Sequence, residues 1–210
     1  AVVTTAKKHI IYSTRANTEY SELPIRLYKH LEQFREIMEE RRENQQGRLK
    51  FFQLHWPRDE RFFQSGAKIL SVRKCGTPTF AYTENEAYVM MSFNIVKTNR
   101  VDLKFLTGLL NSKLVKFWLR HRGKMQGQNY QVDKEPLMAI PLCVPSKIGQ
   151  EKIAKLVKQI IECKQKRPSA QTDDDRVWFD RTIRQFENQI DELVGKLYEL
   201  DENAQSLLDD

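Results

Sequence analysis

Apolar side chains recur at steps of three and four between residues 103 and 117: Leu103, Leu106, Leu110, Leu114 and Phe117. That spacing draws a single stripe along a helix, with Asp102 as its N-cap. Gly108 inside the stripe allows a close backbone approach, and Gly123 is a stop signal. The same period predicts a helix over 21–43, with Leu23, Leu27, Leu31, Phe34 and Met38 inward. Ser21 caps it, Pro24 falls in its first turn, and Glu36, Glu39, Glu40, Arg41 and Arg42 form a solvated face. A third helix spans 148–166, with Ile153, Leu156, Ile160 and Ile161 inward, and Pro168 ends it. After the polar connector Ser169 to Asp175, Phe179, Ile183, Phe186, Ile190, Leu193 and Leu197 make a heptad seam. Two helices joined this closely predict an antiparallel hairpin.

Between the first two helices the period changes. Ala67 to Val72, Thr79 to Tyr82 and Ala87 to Val96 read as strands, with Glu84-Asn85-Glu86 turning between the last two. Residues 1–20 are weakly patterned; Ala1 to Ala6 and Ile10 to Tyr12 form a short strand or an extended arm. In residues 47–66, Phe51, Phe52, Leu54 and Trp56 alternate imperfectly among Arg48, Lys50, Arg58 and Arg61. Core packing is the primary reading for these aromatics, and base stacking is the alternative. Residues 123–131 form a polar, glycine-punctuated loop, and PLMAIPL after it reads as a proline-bounded strand.

Charge divides the chain. Residues 1–172 carry 31 Lys and Arg against 16 Asp and Glu, whereas residues 173–210 carry 4 against 12. A basic body with an acidic tail fits a polyanion-binding module that carries a separate helical element. Cys75, Cys143 and Cys163 have no metal-ligand or redox spacing, and an odd count argues against a disulfide framework, so a reducing cytoplasm is the simplest setting. No export signal and no membrane-length apolar run is visible.

The chemistry concentrates just beyond the first stripe. From Leu103 to Val132 there is no carboxylate, while Lys104, Lys113, Lys116, Arg120, Arg122 and Lys124 supply six cations. Gln126, Gln128, Asn129, Tyr130 and Gln131 then cluster within six residues, an inventory suited to base edges. Cations of this kind hold phosphates, and neutral amides read sequence.

The runs LLNSKLVKFWLRHRGKMQG and PLMAIPL resemble the C-terminal specificity region of the TaqI-like adenine-specific DNA methyltransferases, above all the form fused into single-chain restriction–modification enzymes. In that family an LLNSKL helix leads into a GK-x-x-G loop and a PL-x-x-IP strand. Lys68-Ile69-Leu70, Arg73-Lys74, Phe80-Ala81-Tyr82 and the tail signature Ile190-Asp191-Glu192-Leu193-Val194 with Leu197-Tyr198 extend the resemblance over about residues 21–200. The loop from Arg73 to Thr77 departs from the family pattern with Cys75-Gly76, which puts the target sequence out of reach. Glu199-Leu200-Asp201 also replaces the usual continuation.

The family's Asn-Pro-Pro-aromatic motif, which holds the flipped adenine, does not occur, and no glycine-rich strand–loop–helix suggests a site for S-adenosylmethionine. His9, His30, His55 and His121 are scattered. The expectation is therefore an α+β chain: a small mixed α/β DNA-recognition domain with an N-terminal helix and a C-terminal antiparallel helical hairpin. Residues 1–20 are expected to be an arm or the end of an upstream domain, 21–147 the recognition domain, and 148–210 the hairpin and acidic tail. The resemblance implies a segment of a longer methyltransferase, itself without a catalytic site, cofactor or metal. It implies double-stranded DNA as partner, no membrane, and a catalytic domain with S-adenosylmethionine in the same parent chain, where a nuclease can also be fused. The DNA-binding candidates are Arg58, Arg73, Lys74, Lys113, Arg120, Arg122, Lys124, Gln126, Gln128, Asn129 and Tyr130. A helical interaction or dimerisation module and an RNA-binding accessory domain are the alternatives.

Overall fold

The computed structural model describes residues 9–17, 19 and 23–208. The chain forms two compact units, one within residues 5–64 and one within residues 65–210. Both helices and small antiparallel sheets are present, so the α+β class expected from the pattern holds.

In the smaller unit the expected helix of 21–43 is three short ones: α1 (Ile25–Glu32), α2 (Arg35–Glu39) and α3 (Arg42–Gln45). Pro24 is the residue before the first turn rather than in it, and Ser21 lies outside the described residues. The cause of the second break is Arg41, assigned by pattern to the solvated face. Its backbone is extended, and its guanidinium donates to the carbonyls of Met38 at 2.9 Å, Gln53 at 3.3 Å and Phe51 at 2.5 Å. Three carbonyls gathered by one cation outweigh continuation of a short helix. Leu31, Phe51 and Phe52 form this unit's core, so the core reading of the two phenylalanines holds, whereas Trp56 is exposed. Phe34, placed in the inward stripe, is exposed as well. Residues 10–12 are irregular.

The larger unit has two three-stranded sheets. β1 (Lys68–Val72) lies between β3 (Phe80–Thr83) and β4 (Phe93–Val96), with Ile69 opposite Tyr82 on one side and Val96 on the other. The second sheet joins β2 (Lys74–Cys75), β6 (Asn129–Gln131) and β5 (Lys124–Gln126), in that order. The strand expected over 87–96 shortens to Phe93–Val96 because its partner leaves: Arg73 N–H still donates to Ser92 O, but the Arg73 carbonyl accepts from Val132 N–H at 2.7 Å. The chain crosses from one sheet to the other at that residue.

Asp102 caps α4 (Leu103–Asn111) as its spacing predicts, accepting from Lys104 N at 2.7 Å and Phe105 N at 2.8 Å. The stripe does not continue as a single helix. Ser112 ends α4 and caps α5 (Lys113–Arg122), and Asp191 accepts the Lys113 N–H at 2.9 Å. That break shifts the helical phase, so Val115 and Leu119 are buried where Leu114 and Phe117 were expected. Asn111 adds a second tie. Its side-chain amide donates to Phe80 O and accepts from Phe80 N, extending the hydrogen bonding of β3 onto the helix end. The Leu-Asn-Ser-Lys motif is thus a structural joint.

α7 (Lys147–Lys166) and α8 (Asp173–Leu197) form the expected antiparallel hairpin, with Lys164 facing Glu187 and Arg167 facing Asp180. Thr172 and Asp175 form a capping box at the start of α8. Ile183 and Ile190 are buried from the predicted seam, with Val194 beside them. Val157 replaces Leu156 in the core face of α7. Gly108 is the contact point with α4: a Cβ there would lie 2.6 Å from Ile153 Cγ2 and 3.0 Å from Val157 Cγ2. The strand expected at PLMAIPL is instead α6 (Lys134–Met138), with Pro136 in the first turn where its missing N–H costs nothing. A short α9 (Glu202–Ser206) follows α8.

Candidate nucleic-acid interface

The stretch Gly123 to Gln131 is a β-hairpin, not a loop. Gln126 pairs with Asn129, leaving Gly127 and Gln128 as a two-residue turn with Gly127 at φ +60°. Glycine at the first turn position is the signature of a tight hairpin, and Gly127-Gln128 carried that signal in the sequence. Gly123 ends α5 in an extended conformation, and a Cβ there would meet the Leu119 carbonyl oxygen at 2.3 Å.

Strand pleating sorts the side chains. Lys74 and Lys124 both pair with Gln131, while Cys75 and Met125 both pair with Tyr130. Paired residues share a face and neighbours alternate. Tyr130 is 3 % exposed and belongs to the main core, so its face is the inner one. Tyr130 is therefore corrected from a base-contacting candidate to a core residue. The outer face carries Lys74, Gln131 and Lys124 in one row and Gln126 with Asn129 in the next, and Gln128 is exposed at the turn. Asn129 Oδ1 lies 4.0 Å from where a Gly76 Cβ would be. The Arg73–Thr77 stretch and the hairpin, more than forty residues apart in sequence, are one surface. Gln131, left out of the candidate list, lies at its centre; the alternation of polar and apolar residues over 129–132 was the signal for it.

The cations separate by partner. Lys104, on α4, is engaged by Tyr82 of β3 at 2.9 Å and by Glu84 just after it at 3.3 Å. Lys124 reaches Glu135 at 3.2 Å, both well exposed, which is a weak pair. Lys113, Lys116 and Arg120 follow at steps of three and four on the exposed face of α5, and Arg122 is exposed at its end. Among the described residues, no carboxylate pairs with Lys116, Arg120 or Arg122. Arg58 belongs to the smaller unit, where its carbonyl accepts from the Tyr12 hydroxyl. Arg73 is taken by Asp133, which accepts from Nε at 3.1 Å and Nη2 at 2.5 Å.

Those bonds from Arg73, with a further one from Gln131, hold the Asp133 carboxyl below the usual carboxylate range. A depressed folded-state value stabilises the fold at pH above the unfolded value, about 3.9, and the contribution is lost as pH falls through the lower folded value. Thermal melts of wild type and Asp133→Asn should therefore differ by a constant amount from neutral pH down to about pH 4, and should converge below it. A gap that stays constant into strong acid would show that the carboxylate contributes nothing through its charge.

Residues 6–142 match the TaqI-like C-terminal specificity domain. The chain belongs to that family. In general terms this is the DNA-recognition domain of a TaqI-like methyltransferase, and DNA is its partner. No curated protein matches the chain. The match takes in both sheets, α4, α5 and α6 of this TaqI-like specificity domain; the α7–α8 hairpin lies beyond it and is bound to it through Gly108 and Asp191. No helix of the described residues is long and apolar enough to cross a membrane, and no cluster of three or more metal-ligating side chains occurs among them.

Proposed function

We propose that this chain reads the target sequence for an adenine-specific methyltransferase of restriction–modification type, with a catalytic domain and its S-adenosylmethionine in the same parent chain. The observation that carries the reading is the convergence of cations and amides on one outward sheet face. A two-stranded ribbon fits the major groove, where each base pair shows a distinct set of donors and acceptors. Gln126, Gln128 and Asn129 are exposed amides suited to those edges, and Lys74 and Lys124 flank them. Lys113, Lys116, Arg120 and Arg122 on α5 grip phosphates and set the register. Methylation itself requires the base to leave the stack, which is work for the parent's catalytic domain. Functionally, residues 21–147 recognise and 148–210 support, although compactness divides the chain at 64–65. Three free cysteines fit a reducing cytoplasm.

The test is a salt titration on a DNA duplex and on an RNA duplex of the same sequence. DNA should bind more tightly, with log K falling linearly with log salt by about 0.9 per phosphate contact. The deep, narrow major groove of A-form RNA excludes the hairpin. Equal or tighter RNA binding would overturn the reading in favour of an RNA-binding accessory domain.

A further inference from the structure

Gln131 sits between Lys74 and Lys124 on the outer face of the second sheet. A glutamine amide can offer either its oxygen or its nitrogen, and its neighbours decide which. Here Nε2 donates to Asp133 Oδ2 at 2.6 Å. The other carboxylate oxygen, Oδ1, is held by the Arg73 guanidinium through Nε and Nη2. An ionised carboxylate only accepts, so the nitrogen end of Gln131 must be the one that faces Asp133. What remains for a ligand is Oε1 as acceptor and one N–H as donor. That pair complements the major-groove edge of adenine, which presents the N6 amino donor beside the N7 acceptor. Arg73, committed to Asp133, is not the guanine reader that its guanidinium would otherwise suit.

We propose that Gln131 is a specificity-determining residue that selects an adenine in the duplex, and that Asp133 is a positioning residue that keeps its amide in the adenine-reading orientation. The base meant is one read in the groove, not the one methylated. The proposal rests on the reading of the outer sheet face as the DNA-reading surface. It adds a residue, an orientation and a base.

The experiment uses the 210-residue chain and a pool of randomised duplex DNA, with bound molecules sequenced after repeated selection. Wild type should enrich a motif that contains an adenine. Gln131→Ala should lower the preference at that position alone, by about 10-fold or more, and leave the salt slope on mixed-sequence duplex unchanged. Asp133→Asn should lower the same preference and raise guanine there, because asparagine can both donate and accept and lets the Gln131 amide turn over. Gln131→Glu keeps the size of a half-buried side chain and removes its donors; the new carboxylate is repelled by Asp133 and turns outward between Lys74 and Lys124, so it should move the same position toward cytosine. That variant decides the question even if Asp133→Asn does not fold. A motif unchanged at every position in Gln131→Ala and Gln131→Glu overturns the proposal while leaving the DNA-reading surface intact. Uniform weakening in Asp133→Asn with no change of motif overturns the positioning role. A wild-type chain that enriches nothing and shows no salt-dependent duplex binding overturns the surface reading itself, and this proposal with it.

Discussion

Replacing Ile190 with aspartate is expected to lower the melting temperature by roughly 10 °C, from a loss of about 4 kcal/mol at about 2–4 °C per kcal/mol for a chain of this size. Ile190 is 4 % exposed on α8, and its Cγ2 lies 3.7 Å from where a Gly108 Cβ would be. The substitution removes apolar contact at the junction of α4, α7 and α8 and puts an unpaired charge there. Its neighbour Asp191 accepts the Lys113 N–H, so displacement of α8 also uncaps α5, the helix that leads into the hairpin. Duplex binding should therefore fall together with stability. A melting temperature within ~2 °C of wild type would mean that Ile190 is not packed in solution and that the tail is an independent element. The result tests whether the seam of the acidic tail supports α5 and the hairpin that follows it.

The second large effect concerns affinity. The double variant Lys116→Ala with Arg120→Ala should weaken binding to every duplex alike, by roughly 10- to 100-fold at moderate salt, and flatten the salt slope by about two units. Both side chains lie on the exposed face of α5, and no carboxylate among the described residues neutralises either. Phosphate contacts carry no base information, so the preferred sequence should not change. Gln128→Ala with Asn129→Ala should do the reverse. It should cost about 1–3 kcal/mol per lost base contact on the preferred sequence and little on a scrambled one, with the salt slope preserved. Competition binding of each variant against both duplexes reads the difference. If the two double variants behaved alike, the turn of the hairpin would be a backbone clamp. Sequence would then have to be read elsewhere on the same sheet, by Gln131 or by the Lys74 to Thr77 edge.

Much of the scaffold was legible in order along the chain, for a local reason. Asp102 as a cap, the seam through Ile183 and Ile190, and the strand at Lys68–Val72 each depend on side chains within a few residues of one another, where periodicity and capping chemistry act. Gly108 was legible too, since a glycine inside a helical stripe has few other uses. The errors lie where a distant partner overrides local preference. Arg41 leaves its helix to gather carbonyls from Phe51 and Gln53, Asp191 on α8 completes the cap that splits α4 from α5, and β4 shortens because Arg73 turns away from it.

The proposed recognition surface divides in the same way. By itself the sequence determined its ingredients: a carboxylate-free run of cations and a cluster of amides. Only the tertiary structure decided which of them face outward together. Pairing of β2 with β6 joins residues 74–75 to 130–131, and a strand register cannot be read from one strand alone because a shift of one residue exchanges its faces. That pairing sends Tyr130 into the core, brings Gln131 to the centre of the outer face, and leaves Arg73 bound to Asp133 instead of open to a base.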